Sequence, residues 1–342
     1  MKIKTLFVFC LFSIPSSLYA IELHGAGATF PALVYQQWAN NYTIRKDIKV
    51  DYLAVGSGEG IKRIKAREVD FGGTDMPLTM DELNKNKLIQ FPTMMGAITP
   101  VINLPGVFIA QLKLDGQTLA SIFMGKIHKW NDPRLVALNP NLRLPNMPII
   151  VVYREDKSGT TFNFTNYLSK ASLEWKDSIG EGLAVEWPVG ISGKGNLGVA
   201  VKVKETTGSI GYLDFGHAME HYLDYVKLKN KDGNFVSPSS ASIQAAAVGA
   251  KWDAGNGFYQ ILTDAPGKAS WPIAATTFIL VRKDAGDIEH IRRILKYIDF
   301  SYRTGEFHAM YFDFVIMPRQ IVEQVRASWR AVKDNSGRAA WD

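Results

Sequence analysis

Residues 48–75 read IKVDYLAVGSGEGIKRIKAREVDFGGTD, and this stretch decides the fold class. Ile48 to Val55 is a strand-forming run, which Gly56-Ser57-Gly58-Glu59-Gly60 interrupts. Ile61 and Ile64 then follow at helical spacing, and Val69-Asp70-Phe71-Gly72-Gly73 reads as the next strand with its exit turn. Strand, helix and strand in such quick succession is the rhythm of a βαβ unit and a mainly parallel sheet. The rhythm continues outward. Ala97 to Asn103 and Ile149 to Tyr153 read as strands, Thr160 to Ser169 as a helix, and Thr276 to Val281 as a late strand. Helical patterns run from Ile288 to Phe300 and from Pro318 to Val332, so the class is α/β.

The chain has 342 residues, 46% hydrophobic and 21% charged, an ordinary globular composition. That length exceeds what one compact core usually needs, which favours two lobes. The first twenty residues stand apart: Lys2 and Lys4, an apolar run from Thr5 to Ile14, then Pro15 to Ala20 ending in a small residue. This is the layout of a secretory signal peptide cleaved near Ala20, and its apolar run is short for a membrane span. Cys10, the only cysteine, lies inside it and has Val8-Phe9 before it rather than small residues, so it is not read as a lipid-attachment site. The mature chain is expected to carry no thiol and no disulfide. The formal charge of +6 falls to about +4 without Lys2 and Lys4, a mild excess that draws anions. Basic residues are scattered among acids with no basic run, which argues against nucleic acid as a partner.

Four loops carry groups suited to one small oxyanion. In Gly25-Ala26-Gly27-Ala28-Thr29-Phe30-Pro31-Ala32, the Thr29 hydroxyl and the Phe30 amide precede a helix opened by Pro31. An ordinary N-cap at Thr29 is the plainer alternative, and no third glycine makes the loop a dinucleotide fingerprint. In the second loop Ser57 either donates to a ligand or caps the helix starting near Gly58. The third loop ends in Gly72-Gly73-Thr74-Asp75. Asp75 is either a turn residue or a selective acceptor. An ionised carboxylate only accepts hydrogen bonds, so it repels a fully deprotonated anion and welcomes one that keeps a proton. In the fourth, Tyr153-Arg154-Glu155-Asp156-Lys157-Ser158-Gly159-Thr160-Thr161, Arg154 can fork two N–H bonds onto an oxyanion. Asp156 is near enough to steady the guanidinium, and Ser158, the Gly159 amide and Thr160 open a helix. A surface ion pair at Arg154 and a helix cap at Ser158 are the plainer alternatives.

An enzymatic reading would make Ser57 or Ser158 a nucleophile of a secreted phosphatase, which needs a base such as His in reach. Only His24 lies near a candidate loop in sequence. His217 and His221 have the i, i+4 spacing of a helical metal pair, but no third ligand is evident. Two exposed helix residues are the expectation there, with no metal and no cofactor.

The four loops, in this order and spacing, resemble the periplasmic phosphate-binding proteins of the high-affinity phosphate ABC transporter. The resemblance also runs through Gln90-Phe91-Pro92-Thr93, Leu114-Asp115-Gly116, Gly125-Lys126-Ile127, Gly193-Lys194-Gly195-Asn196, Trp271-Pro272-Ile273 and Val322-Glu323-Gln324-Val325-Arg326. It implies phosphate contacts at Thr29, Phe30, Ser57, Asp75, Arg154, Ser158, Gly159 and Thr160, with Asp75 accepting the phosphate proton and Asp156 pairing with Arg154. It also implies a type II periplasmic binding fold of two lobes, 21–102 with 274–342 and 103–273. Two strands, near Val101 to Leu104 and Ile273 to Thr277, would join them as a hinge. Partners would be inorganic phosphate and membrane permease subunits, and the carrier a monomer. A sulfate-like oxyanion is the alternative ligand. Where many relatives read Gly-Ser-Ser-Gly-Gly, this chain has Gly56-Ser57-Gly58-Glu59-Gly60; Glu59 and Glu155 are expected to face solvent.

Overall fold

The structure, a computed structural model, describes residues 21–341 other than 285 and 335. The expected signal peptide and Cys10 lie outside the described residues. Thirteen strands are formed among the described residues. The first seven are β1 (Glu22–Gly27), β2 (Lys49–Ala54), β3 (Phe71–Thr74), β4 (Leu88–Asn103), β5 (Lys113–Leu114), β6 (Ile150–Arg154) and β7 (Ile191–Gly193). The rest are β8 (Ser209–Asp214), β9 (Asp224–Tyr225), β10 (Lys227–Lys229), β11 (Phe235–Val236), β12 (Ala274–Arg282) and β13 (Val315–Ile316). One large sheet runs in the order β2-β1-β3-β12-β4-β8-β6-β7, with β13 and β9 added to β4; β11-β10-β5 form a small second sheet.

Each half of the large sheet is the expected parallel unit. β1 lies parallel between β2 and β3, and β6 lies parallel between β7 and β8. β12 and β4 run antiparallel to their neighbours in the middle, which makes the whole sheet mixed. β4 serves both halves: it pairs with β12 from Leu88 to Ala97 and with β8 from Ile98 to Asn103. Every residue of β4 except Asn103 is buried, the mark of a strand covered on both faces.

β4 begins nine residues earlier than its sequence pattern suggests, because Pro92 and Gly96 interrupt the β-forming run. The proline fits through a bulge. Thr277 pairs with Met94 and Phe278 with Pro92, so Thr93 is the extra residue in the ladder. A residue without an N–H is tolerated where the ladder is already broken. Tryptophans anchor the surrounding loops: buried Trp271 donates its indole N–H to the Ile98 carbonyl, and Trp38 donates to that of Gly305, each at 3.0 Å.

The helices Ala32–Lys46, Ser57–Lys65, Gly159–Ala171, Gly195–Glu205 and Ile288–Thr304 pack around the sheet. The last buries Ile288, Ile291, Ile294, Leu295, Ile298 and Tyr302, an i, i+3, i+4 stripe that ran four residues past its expected end. The expected helix from Pro318 is split into Arg319–Ser328 and a tighter turn, Trp329–Ala331.

This topology fixes where a ligand can sit. In open α/β sheets the usable crevice lies beyond the carboxyl ends of parallel strands. β1, β2 and β3 end just before Thr29, Ser57 and Asp75; β6 and β7 end at Arg154 and just before Gly195; β8 ends at Asp214.

Candidate functional site

The first three loops meet because glycine allows it. Gly27 has φ +152°, and a Cβ there would fall 2.0 Å from the Gly73 carbonyl oxygen, so only glycine lets β1 and β3 close up. Thr29 then turns into the helix Ala32–Lys46 but caps nothing, since no side chain caps that helix. Its hydroxyl is buried without a partner. Phe30 packs its ring edge-on against Phe314 at 5.0 Å, so the ring anchors the turn.

Ser57 is fully buried and is not a side-chain cap either. Its Oγ accepts the Asp75 amide and the Gly159 amide, both at 3.1 Å, and lies 3.5 Å from Asp75 Oδ2. One hydroxyl therefore ties the second, third and fourth loops together. Gly58 adds an amide bond to the Lys157 carbonyl at 2.9 Å, and Asn163 donates to the Asp75 carbonyl at 2.7 Å and to that of Gly159 at 3.0 Å.

Arg154 is 3% exposed, which excludes the surface ion-pair alternative. Its Nε and Nη2 grip the two carboxylate oxygens of Asp156 at 2.8 and 2.5 Å, a bidentate fork. Nη1 donates to Asn196 Oδ1 at 2.6 Å. A guanidinium has five N–H donors, so two remain for a ligand. Asp156 also accepts the Gly195 amide at 3.0 Å. Burial raises the Asp156 carboxyl, but the Arg154 bonds and charge outweigh it and hold the group below the ordinary value. Ser158 is a helix cap: its Oγ accepts the Thr161 amide at 3.2 Å. Thr160 is buried with an unpartnered hydroxyl.

Asp75 differs sharply from Asp156. It is 1% exposed, and its Oδ1 has no hydrogen-bond partner. Burial pushes its carboxyl up to about 7, against the pull of the Arg154 charge. Two carboxyls that both feel the Arg154 charge are thus set to different tasks: Asp156 stays ionised, and Asp75 titrates near neutrality. The buried hydroxyls of Thr29 and Thr160, two Arg154 donors and the single acceptor of Asp75 form a donor-rich set around one acceptor. Such a set suits a small oxyanion that keeps a proton.

Three features escaped the sequence reading. Asn163, Asn196 and Asp214 are wholly or almost wholly buried and bond directly to the loop residues or to their partners. Asn196 falls within the noted Gly193-Lys194-Gly195-Asn196 run, the one signal that could have found it. His217 is a correction: it is 6% exposed, not a surface residue, because its Nδ1 meets Asp214 at 2.6 Å. Among the described residues no group of three or more His, Cys, Asp or Glu side chains could hold a metal ion. Glu155 is exposed and Glu59 half-buried, turned aside to Arg63 at 2.9 Å.

Two α/β halves that share crossing strands, with an oxyanion set where their loops meet, define a solute-binding protein of the periplasmic kind. The family model of the PBP superfamily domain matches residues 16–304. The phosphate-binding protein PstS of Haemophilus influenzae is 45% identical over 330 residues, covering 96% of this chain and 98% of that protein. Its counterpart in Pasteurella multocida is 43% identical over 323 residues, covering 94% of each. The chain belongs to the PstS phosphate-binding protein family. Among solved structures, a phosphate-binding protein from Stenotrophomonas maltophilia superposes with a TM-score of 0.68 at 21% identity, covering 90% of this chain and 94% of that one. A putative phosphate ABC transporter substrate-binding protein from Clostridium perfringens, with bound phosphate, gives 0.63 at 18%, covering 87% and 100%. At these identities the likeness carries the fold alone.

Proposed function

We propose that this protein captures inorganic phosphate between its two lobes and delivers it to the membrane permease subunits of an ABC transporter. The observation that carries the reading is the presence of two unlike buried groups within each other's field: a forked Arg154 cation steadied by Asp156, and an Asp75 carboxyl whose Oδ1 awaits a donor. Phosphate near neutral pH keeps at least one proton and meets both groups; sulfate has no proton to give Asp75 and leaves a buried acceptor facing an anion. Thr29, Phe30 and Thr160 would complete the contacts, with Ser57, Ser158 and Gly159 forming the wall. The Gly159 amide and the Ser158 hydroxyl each have a partner within the protein, so their contribution is through the backbone frame and the helix N-terminus.

The proposed lobes are residues 21–102 with 274–342, and 103–273. The switch of β4 from β12 to β8 at Ala97 and Ile98 supports a division near there. Hinge bending at such paired crossings would open and close the crevice. We further propose that the protein is exported to the periplasm after loss of residues 1–20, acts as a monomer, needs no cofactor and turns nothing over. No helix of the described residues is long and apolar enough to cross a membrane. Binding without turnover fits the Ser57 hydroxyl, whose oxygen already accepts two amides. Equilibrium dialysis against labelled phosphate should give one equivalent bound per chain, and a chromogenic phosphate ester should not be cleaved. Cleavage, or no retained label, would sink the reading.

The tight contact at Gly159 gives a further expectation. A Cβ there would lie 2.4 Å from Ser57 Oγ and 2.6 Å from Asp75 Cβ. Gly159→Ala should therefore keep the loops apart and weaken phosphate at least tenfold. The same clash overpacks a buried contact of the phosphate-stripped protein, so its melting temperature should fall as well. Unchanged affinity in calorimetry would show that the two loops need not close to this distance.

A further inference from the structure

Arg154 is held on its Asp156 edge by a carboxylate, but its opposite edge meets an amide, and an amide can face either way. Asn196 is fully buried, and its Oδ1 accepts from Arg154 Nη1 at 2.6 Å while its Nδ2 donates to Asp214 Oδ2 at 2.6 Å. The orientation is forced. A guanidinium only donates, so the oxygen of Asn196 must face Arg154 and its NH2 must face Asp214. Reversed, the amide would set N–H against N–H at Arg154 and oxygen against oxygen at Asp214.

Asp214, also fully buried, is held from its own far side. Its Oδ1 accepts the His217 amide at 3.0 Å, as the cap of the short helix Phe215–Glu220, and its Oδ2 meets His217 Nδ1 at 2.6 Å. The contact is one of charge, since Nδ1 has no aligned hydrogen-bond partner. Burial lowers the His217 pKa, but the nearby Asp214 charge outweighs it and leaves it above the ordinary value. The connected series Arg154–Asn196–Asp214, closed by the His217 backbone amide, thus has one consistent donor and acceptor pattern, anchored where β6 and β8 end and where the helix Gly195–Glu205 begins.

We propose that Asn196 and Asp214, braced by His217, are positioning residues for anion capture: they fix the rotation of the Arg154 guanidinium so that its two unspent N–H bonds point into the crevice. The inference rests on the phosphate reading of the site. A guanidinium held only by Asp156 could pivot about that ion pair; the second edge removes the pivot and the ordering cost that binding would otherwise carry.

Asp214→Asn is the decisive substitution, because it keeps the shape but has one acceptor oxygen where the carboxylate has two, so it cannot accept from both the Asn196 side chain and the His217 amide and the brace on Asn196 is lost. Phosphate titrated calorimetrically into the stripped variant should bind at least tenfold more weakly than to the wild type. The double variant Asn196→Asp/Asp214→Asn restores the pattern, with Asp at 196 accepting from Arg154 and Asn at 214 donating to it. It should recover to within about threefold of the wild type. Recovery separates positioning from packing, since both forms carry the Asp214 change. A second arm uses the unaltered protein: nitrogen-resolved NMR of stripped wild type should show slow rotation of the Arg154 guanidinium. Wild-type affinity in Asp214→Asn, a double variant no better than the single one, or a freely rotating Arg154 each overturns the inference. Absence of phosphate binding to the wild type would instead refute the reading of the site itself.

Discussion

Arg154→Ala should weaken phosphate binding by about 2–5 kcal/mol, roughly thirtyfold to several thousandfold, when both proteins are titrated by calorimetry. The size follows from burial and from what is left behind. Arg154 is 3% exposed and is the cation that neutralises Asp156, whose side chain is 15% exposed. Removing the guanidinium takes two charged donors from the anion and leaves the Asp156 carboxylate facing it unpaired. Arg154→Lys should rescue only part of the loss. An ammonium supplies charge, but it cannot hold both Asp156 oxygens, the Asn196 oxygen and the ligand at once. An affinity for Arg154→Ala within threefold of the wild type would place the anion elsewhere.

Asp75→Asn should change what is bound more than how tightly. The amide can donate to an anion with no proton, so sulfate, excluded by the wild type, should bind, and the preference for phosphate should fall by about a hundredfold or more in competition. The same variant tests the titration. Asp75 has its folded value at about 7, well above the ordinary 3.8, so its contribution to stability is fully present below pH 3.8 and is lost as pH rises through 7. Wild-type stripped protein should therefore lose about 4 kcal/mol relative to Asp75→Asn between acid and mildly alkaline pH, as read from denaturant unfolding. Parallel stability curves for the two proteins would show that the carboxyl is not desolvated, and with it the basis for proton reading would go.

How much of this lay in the amino-acid order differs by layer. The βαβ rhythm around residues 48–75 is local and was legible, as were the four glycine- and hydroxyl-bearing loops, because turn chemistry and helix starts are written within a few residues. β4 was read too short, since its bulge at Pro92 depends on β12, nearly two hundred residues away in sequence. Whether Ser57 and Thr29 cap helices or face a crevice could not be decided locally: each sits where a cap would sit, and only the approach of Gly159 and Gly73 from other loops settles the use of the space. Arg154 reads as a surface ion pair for the same reason. The supports behind it, Asn196 and Asp214, are 42 and 60 positions further on, and no local pattern links them. His217 looked exposed because a short polar helix usually is; the buried Asp214 carboxylate pulls it inward.

The measurement that bears most directly on the account is a calorimetric titration of the phosphate-stripped wild type with orthophosphate and, separately, with sulfate at about pH 8.5, above the Asp75 value of about 7, where the carboxyl is ionised and phosphate still keeps a proton. Saturable heat at one phosphate per chain, with no heat from sulfate, is the expected result. Equal heats from the two anions, or silence with phosphate, would contradict the claim that one buried carboxyl beside one forked arginine chooses the ligand by its proton.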